Sequence, residues 1–129
     1  MKISVSFLIC SREKNNVPIV AVNKINNVYQ LPTFDFDGLS DIDTFVKNKF
    51  KELSSFDAKF KSIDGWVNIF ICGTIITSDS SSIVYACYAP EIFENKDVEW
   101  KSMPLILEDG VFESSYSDQV ISCFNYFSR

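Results

Sequence analysis

The side chains best suited to chemistry in this sequence are carboxylates, and they fall into three groups. Asp35, Asp37, Asp41 and Asp43 lie within FDFDGLSDID. Glu52 follows a run of alternating lysines, Lys47, Lys49 and Lys51. Glu91, Glu94, Asp97 and Glu99 come later. Clustered carboxylates can hold a divalent cation through oxygen or work as general acid and base. In an extended chain Asp35 and Asp37 share one face. Their spacing does not supply the glycine and final glutamate of an EF-hand loop. The plainer account of the first group is a solvated turn leading into helix-start carboxylates. The plainer account of the third is a solvated loop.

There is no histidine. That removes Ser-His-Asp triads, Cys-His dyads and most zinc sites. Any catalysis must use carboxylates, a thiolate, lysine or tyrosine. The four cysteines, Cys10, Cys72, Cys87 and Cys123, sit in the apolar contexts FLIC, IFIC, YACY and ISCF. None stands beside a basic residue or a helix start that would lower its pKa. The expectation is buried thiols in a reducing, cytoplasmic compartment, with paired disulfides as the alternative.

The formal net charge of −5 disfavours binding that depends on neutralising a phosphate backbone, so no nucleic-acid partner is expected. No apolar run is long enough to span a membrane. At the N-terminus Ile3, Val5, Phe7 and Ile9 alternate with other residues, which is strand periodicity rather than a signal peptide. With 129 residues and no visible repeat or linker, residues 1–129 are expected to form a single domain.

These groups need a scaffold to position them. Strands are expected over 2–11 and 17–23, with a polar turn at 12–16 between them and a tight turn at Asn26-Asn27. An extended run over 28–31 leads into Pro32. The clearest helix spans 41–54, because Ile42, Phe45, Val46, Phe50 and Leu53 recur at three- and four-residue spacing. Ser40 or Asp41 can cap it. Further strands are expected near 57–65, 67–77 and 82–89, the last two covered on both faces. A short strand over 98–103 ends at Pro104, and a loop follows. A final helix over 117–127 would bury Val120, Ile121, Phe124 and Phe127. This order predicts an α/β sandwich: a mixed β-sheet between two main helices.

Two motifs carry a family resemblance. VPIVAVNKINNVYQLP gives a strand, a short turn, an aromatic residue, one residue and Leu-Pro, here Tyr29-Gln30-Leu31-Pro32. YACYAPEIFENKDVEWKSMPL is similar to a late strand, an acidic loop and a return strand carrying Glu99-Trp100. With the element order, these resemble the Nudix (MutT-like) hydrolase superfamily, and the likeness in layout covers nearly the whole chain. The resemblance implies an α/β/α sandwich and a Nudix box over Phe34 to Phe56. In that box a helix carries an Arg-Glu-apolar-x-Glu-Glu core, which holds divalent metal against a diphosphate.

The box here departs at most chemical positions. Thr33 and Phe34 stand where glycines belong, and Ser40 replaces the first glutamate. Asn48-Lys49 replaces Arg-Glu. Glu52 keeps one glutamate while Leu53 takes the next, and Ser55 replaces the closing glycine. Phe50 and Phe56 keep the apolar positions. The packing residues survive and the chelating ones do not. Lys49 would repel a metal, or itself meet an anion as a point charge. Phe34 would fill space that a diphosphate needs.

The leading reading is a catalytically degenerate Nudix-like domain that binds a nucleotide-like small molecule or a protein partner. It implies no metal cofactor. Tyr29, Phe34, Asp37, Lys49 and Trp100 are the candidate ligand-binding residues. Trp66, Tyr85 and Tyr88 are further aromatics that could stack on a base, although strand spacing favours core roles. The alternative is a divergent hydrolase of nucleoside diphosphate derivatives. It would hold Mg2+ or Mn2+ through Glu52 as the catalytic residue, with Asp37 or the late acidic loop. A third reading is a structural or oligomerising domain that uses the last helix and Trp100.

Overall fold

The computed structural model describes residues 2–13, 17–60, 67–76, 78–89, 91–106 and the single positions 108, 118, 121, 122 and 125. In chain order the strands are β1 (Lys2–Arg12), β2 (Pro18–Ile25), β3 (Val28–Gln30), β4 (Thr33–Asp35), β5 (Ala58–Lys59), β6 (Val67–Ile76), β7 (Ser80–Tyr88) and β8 (Glu99–Ser102). Helix α1 (Ile42–Ser54) lies between β4 and β5, and helix α2 (Met103–Ile106) follows β8.

The strands form one mixed sheet in the order β3-β2-β1-β7-β6-β5, with β4 beside β1 and β8 beside β2. The β1–β7 and β5–β6 pairs are parallel and the rest antiparallel. One edge of β1 is shared. Ser4 to Ser6 pair with β4, while Cys10 to Arg12 pair with β2. Strand β1 is therefore the frame on which both halves of the following chain are hung.

Alternation along β1 explains the two cores. Val5, Phe7 and Ile9 point to the face covered by α1 and pack with Phe45, Val46, Phe50 and Leu53. Leu8 and Cys10 point to the other face, with Val20, Val22, Val84 and Ala86, under Met103 and Ile106 of α2. Both faces of β1 are thus dry, so it reads as an apolar run.

The ends of α1 follow from local chemistry. Asp41 is the N-cap, and its carboxylate accepts from the Thr44 backbone at 3.1 Å and the Thr44 hydroxyl at 2.8 Å. The helix stops at Ser55, which is left-handed at φ 68° and donates to Lys51 O at 2.8 Å.

Several elements differ from expectation. Strand β4 was not expected, because three residues after a proline carry too little periodicity to announce a strand. The segment expected near 57–65 contains β5 at Ala58–Lys59, and positions 61–65 lie outside the described residues. Strand β6 is not covered on both faces: Ile71 and Ile76 are 61% and 71% exposed. Pro104 sits inside α2 where a loop was expected, in the first turn, where its missing N–H costs no helical hydrogen bond.

Asp118, Ile121, Ser122 and Asn125 are helical, in keeping with the last helix, but Ile121 is 43% exposed rather than part of a core stripe. Trp66, Val120, Cys123, Phe124 and Phe127 lie outside the described residues. Cys10 and Cys87 are buried thiols and Cys72 is a half-buried one, so none of these three is in a disulfide. Among the described residues no helix is long and apolar enough to cross a membrane.

Candidate functional site

A cleft of about 500 Å3 opens where the end of β2, the start of β4, the last turn of α1 and the loop before β8 converge. Asn23, Lys24 and Ile25 line it from β2, and Thr33 and Phe34 from β4. Glu52 and Leu53 line it from α1, and Asn95 and Asp97 from the loop.

Each wall has a local cause. Asn26 and Asn27 adopt φ of 51° and 66°, the two successive positive values of a type I′ turn, and this reverses β2 into β3. Buried Leu31 then anchors the chain, and Pro32 O accepts from Phe7 N at 2.9 Å. A chain of hydroxyls fixes β4 across β1 to β7. Ser6 Oγ lies 2.8 Å from both Thr33 Oγ1 and Ser82 Oγ. On the opposite wall Asn95 Nδ2 donates to Leu53 O at 3.1 Å, while its Oδ1 accepts from Asp97 N at 2.9 Å. One side chain thereby satisfies a carbonyl at the end of α1 and folds the loop against it.

Three of the expected site residues come together here. Phe34 is half-buried in the cleft wall, edge-on to Phe7 with centroids 5.9 Å apart. Glu52 lines the cleft with an exposed carboxylate, and Lys49 Nζ lies 3.3 Å from its Oε2. The same ammonium stands 5.6 Å from the centroids of both Phe34 and Phe45. Lys49 therefore joins the aromatic wall to the single glutamate at the rim.

The other three lie elsewhere. Asp37 is exposed, and its Oδ1 accepts from Leu39 N at 2.9 Å, closing a turn at Gly38, whose φ is 72°. Its carboxylate serves the loop. Tyr29 sits on β3 with Lys24 and Lys101 ammoniums 5.5 and 5.6 Å from its ring, and packs against the α2-side core. Trp100 packs against the α1-side core, 5.1 Å from Phe93, and its Nε1 donates to Phe93 O at 2.9 Å. It braces the acidic loop rather than lining the cleft.

Asn23 and Asn95 were not singled out from the sequence. Asn23 carried a usable signal. Val20 and Val22 face the α2 side and Ala21 the α1 side, so alternation puts Asn23 on the α1 face, where a polar residue is out of place. Asn95 carried none, because its partner Leu53 is distant in sequence.

Glu52 and Asp97 are the carboxylates of the cleft, and Glu52 is already paired with an ammonium. Among the described residues no group of three or more His, Cys, Asp or Glu side chains could hold a metal ion. The described carboxylate donors of the cleft are thus two, one of them paired, whereas Mg2+ is commonly held by one or two carboxylates together with substrate phosphates. Asp41, at the far end of α1, has its carboxyl pushed below the ordinary value of 3.8, chiefly by the Thr44 hydroxyl and then the Thr44 N–H.

No family model matches the sequence, and no curated protein matches it. Solved structures do. A mutT/nudix family protein from Listeria innocua superposes with a TM-score of 0.72 at 11% identity, over 98% of this chain and 94% of that one. The C-terminal domain of mouse MUTYH, solved in complex with human PCNA, gives 0.66 at 9% identity, over 99% and 90%. The NUDIX domain of Shewanella oneidensis NrtR, solved with ADP ribose, gives 0.66 at 14%, over 98% and 88%. The likeness runs through nearly the whole of each chain at identities too low to carry an activity. The chain has the α/β fold of the Nudix proteins.

Proposed function

We propose that this is a Nudix-like binding domain, acting without divalent metal, whose cleft takes a nucleotide-like small molecule. The observation that carries the reading is the Lys49–Glu52 pair, 3.3 Å apart at the rim of the cleft. A glutamate that shares its charge with a neighbouring ammonium is a poor ligand for a divalent cation, and the lysine repels any cation brought beside it. The cleft itself is of ligand-binding size, with an aromatic wall at Phe34 and polar groups around it. The NrtR domain solved with ADP ribose gives a precedent for a small ligand on this fold. The MUTYH domain solved with PCNA gives one for a protein partner, but here the formed cleft favours the small ligand.

The hydrolase reading keeps one supporting observation, that Glu52 and Asp97 line the same cleft. One experiment separates the two. The purified chain is incubated with nucleoside triphosphates, dinucleoside polyphosphates, ADP-ribose and NAD, with Mg2+ or Mn2+. Phosphate and mononucleotide release are followed, and thermal stability is recorded alongside. A binding domain gives no turnover and a melting temperature that rises with ligand concentration by mass action. Metal-dependent turnover that disappears in Glu52→Gln would establish the hydrolase instead.

A further inference from the structure

We infer that the cleft selects its nucleotide-like ligand by charge, taking a nucleoside in preference to its phosphates, and that Asp97 sets this preference; the inference rests on the binding reading above. Among the described residues, the charged ones lining the cleft are Lys24, Glu52 and Asp97. Two of these have their charge engaged. The Lys49 ammonium lies 3.3 Å from the Glu52 carboxylate. The Lys24 ammonium lies 5.5 Å from the centroid of Tyr29, a ring that packs on the α2-side core rather than in the cleft wall. The Asp97 carboxylate takes part in none of the ion pairs among the described residues.

Asp97 is also held in place. Its N–H donates to Asn95 Oδ1 at 2.9 Å, and Val98 N donates to Asn95 O at 3.1 Å, which closes a turn. Asn95 Nδ2 donates to Leu53 O at 3.1 Å and ties that turn to the end of α1. The chain thus fixes an exposed carboxylate, without an ion-pair partner, on one wall of the cleft. A base can stack on the aromatic wall at Phe34 and meets no repulsion there. A phosphate on the same ligand meets a wall of its own sign. Like charges about 4 Å apart weaken binding about fivefold or more, and an unpaired like charge is a general means of refusing a closely related ligand. Lys24 must leave the Tyr29 ring before it can meet a phosphate.

The test uses matched ligands that differ in phosphate charge. Binding of adenosine, guanosine, cytidine and uridine, of their 5′-mono- and diphosphates, and of ADP-ribose is measured by calorimetry on the whole chain without divalent metal. At least one nucleoside should bind about fivefold or more tighter than its diphosphate, with the monophosphate between them. Raising the salt from about 0.05 to about 0.5 M should tighten binding of the phosphates, because screening weakens the repulsion. A site that attracts phosphate shows the opposite sign. Asp97→Asn keeps the shape of the side chain and removes its charge, so the ratio of the two affinities should fall toward one. The salt series on the unaltered chain carries the test if the variant is unstable.

Phosphates that bind as tightly as the nucleoside, or tighter, overturn the inference and leave the binding reading standing. So does a preference for the nucleoside that persists undiminished at high salt or in Asp97→Asn. Tight binding of the phosphates only when Mg2+ is added overturns the inference and the metal-free reading together. No binding by any of these compounds overturns both.

Discussion

Lys49 and Glu52 stand three residues apart on α1, and their charged atoms are 3.3 Å from one another at the mouth of the cleft. The Glu52 side chain is 66% exposed, so the pair adds at most about 0.5 kcal/mol to stability. Its consequence is electrostatic. It neutralises a carboxylate where two or three together would draw a cation.

Lys49→Glu should therefore create metal affinity. The substitution places two carboxylates on one face of α1 and removes the competing ammonium. Mn2+ affinity, measured by calorimetry or by water-proton relaxation, should rise about tenfold or more. Unchanged affinity would mean that Lys49 is not what weakens the site.

Ser55→Gly should stabilise the protein. Ser55 holds φ at 68°, a conformation that strains an L-residue and that glycine adopts freely. The gain is offset in part by the extra freedom of glycine in the unfolded chain. A net rise of about 0.5 kcal/mol is expected, read from the urea midpoint at constant m-value.

The Asp41 cap gives a pH dependence of known sign. Its carboxyl lies below the ordinary 3.8, because the Thr44 hydroxyl and N–H favour the charged form. The native state thus holds that proton less tightly than the unfolded chain does. The stabilisation is fully present above the ordinary value and is lost as pH falls through the lowered one. Asp41→Ala should lower the melting temperature at pH 7, and the difference from the parent should shrink in acid below pH 3.8. A difference constant with pH would show that the cap does not act through its charge.

Asn95→Ala should loosen one wall of the cleft. The substitution frees Leu53 O and Asp97 N together. A loss of about 1–2 kcal/mol is expected. Hydrogen exchange at the Asp97 amide should accelerate by more than this global loss explains. Exchange that tracks global stability alone would show that Asn95 does not position the loop.

Much of the frame is readable in the sequence because it depends on local periodicity. The apolar stripe Ile42, Phe45, Val46, Phe50 and Leu53 fixes α1 and its buried face, and Ser40-Asp41 marks its start, with the structure choosing Asp41 as the cap. The alternation of Ile3, Val5, Phe7 and Ile9 marks β1 as a strand, while its second dry face, with Leu8 and Cys10, emerged only in the fold. Asn26-Asn27 sets the hairpin turn, since asparagine tolerates positive φ. Phe34, Lys49 and Glu52 could be named as candidates because their residue types stand out against the spacing of a Nudix box.

What those residues do together was decided only by the tertiary structure. That Lys49 spans from the Phe34 ring to Glu52 depends on β4 lying beside β1 under α1, and three residues of strand give no periodic signal. Asp37 is drawn into its own turn by Leu39 N, and Trp100 into the core by Phe93 O, so both leave the site that their residue types suggested. Asn23 becomes notable only once the chain has folded around it, because whether a buried amide oxygen has a partner depends on every segment that reaches it. The sequence by itself determined the elements and their buried faces, through interactions a few residues apart. The tertiary structure decided which polar groups meet, through contacts between segments distant in the chain.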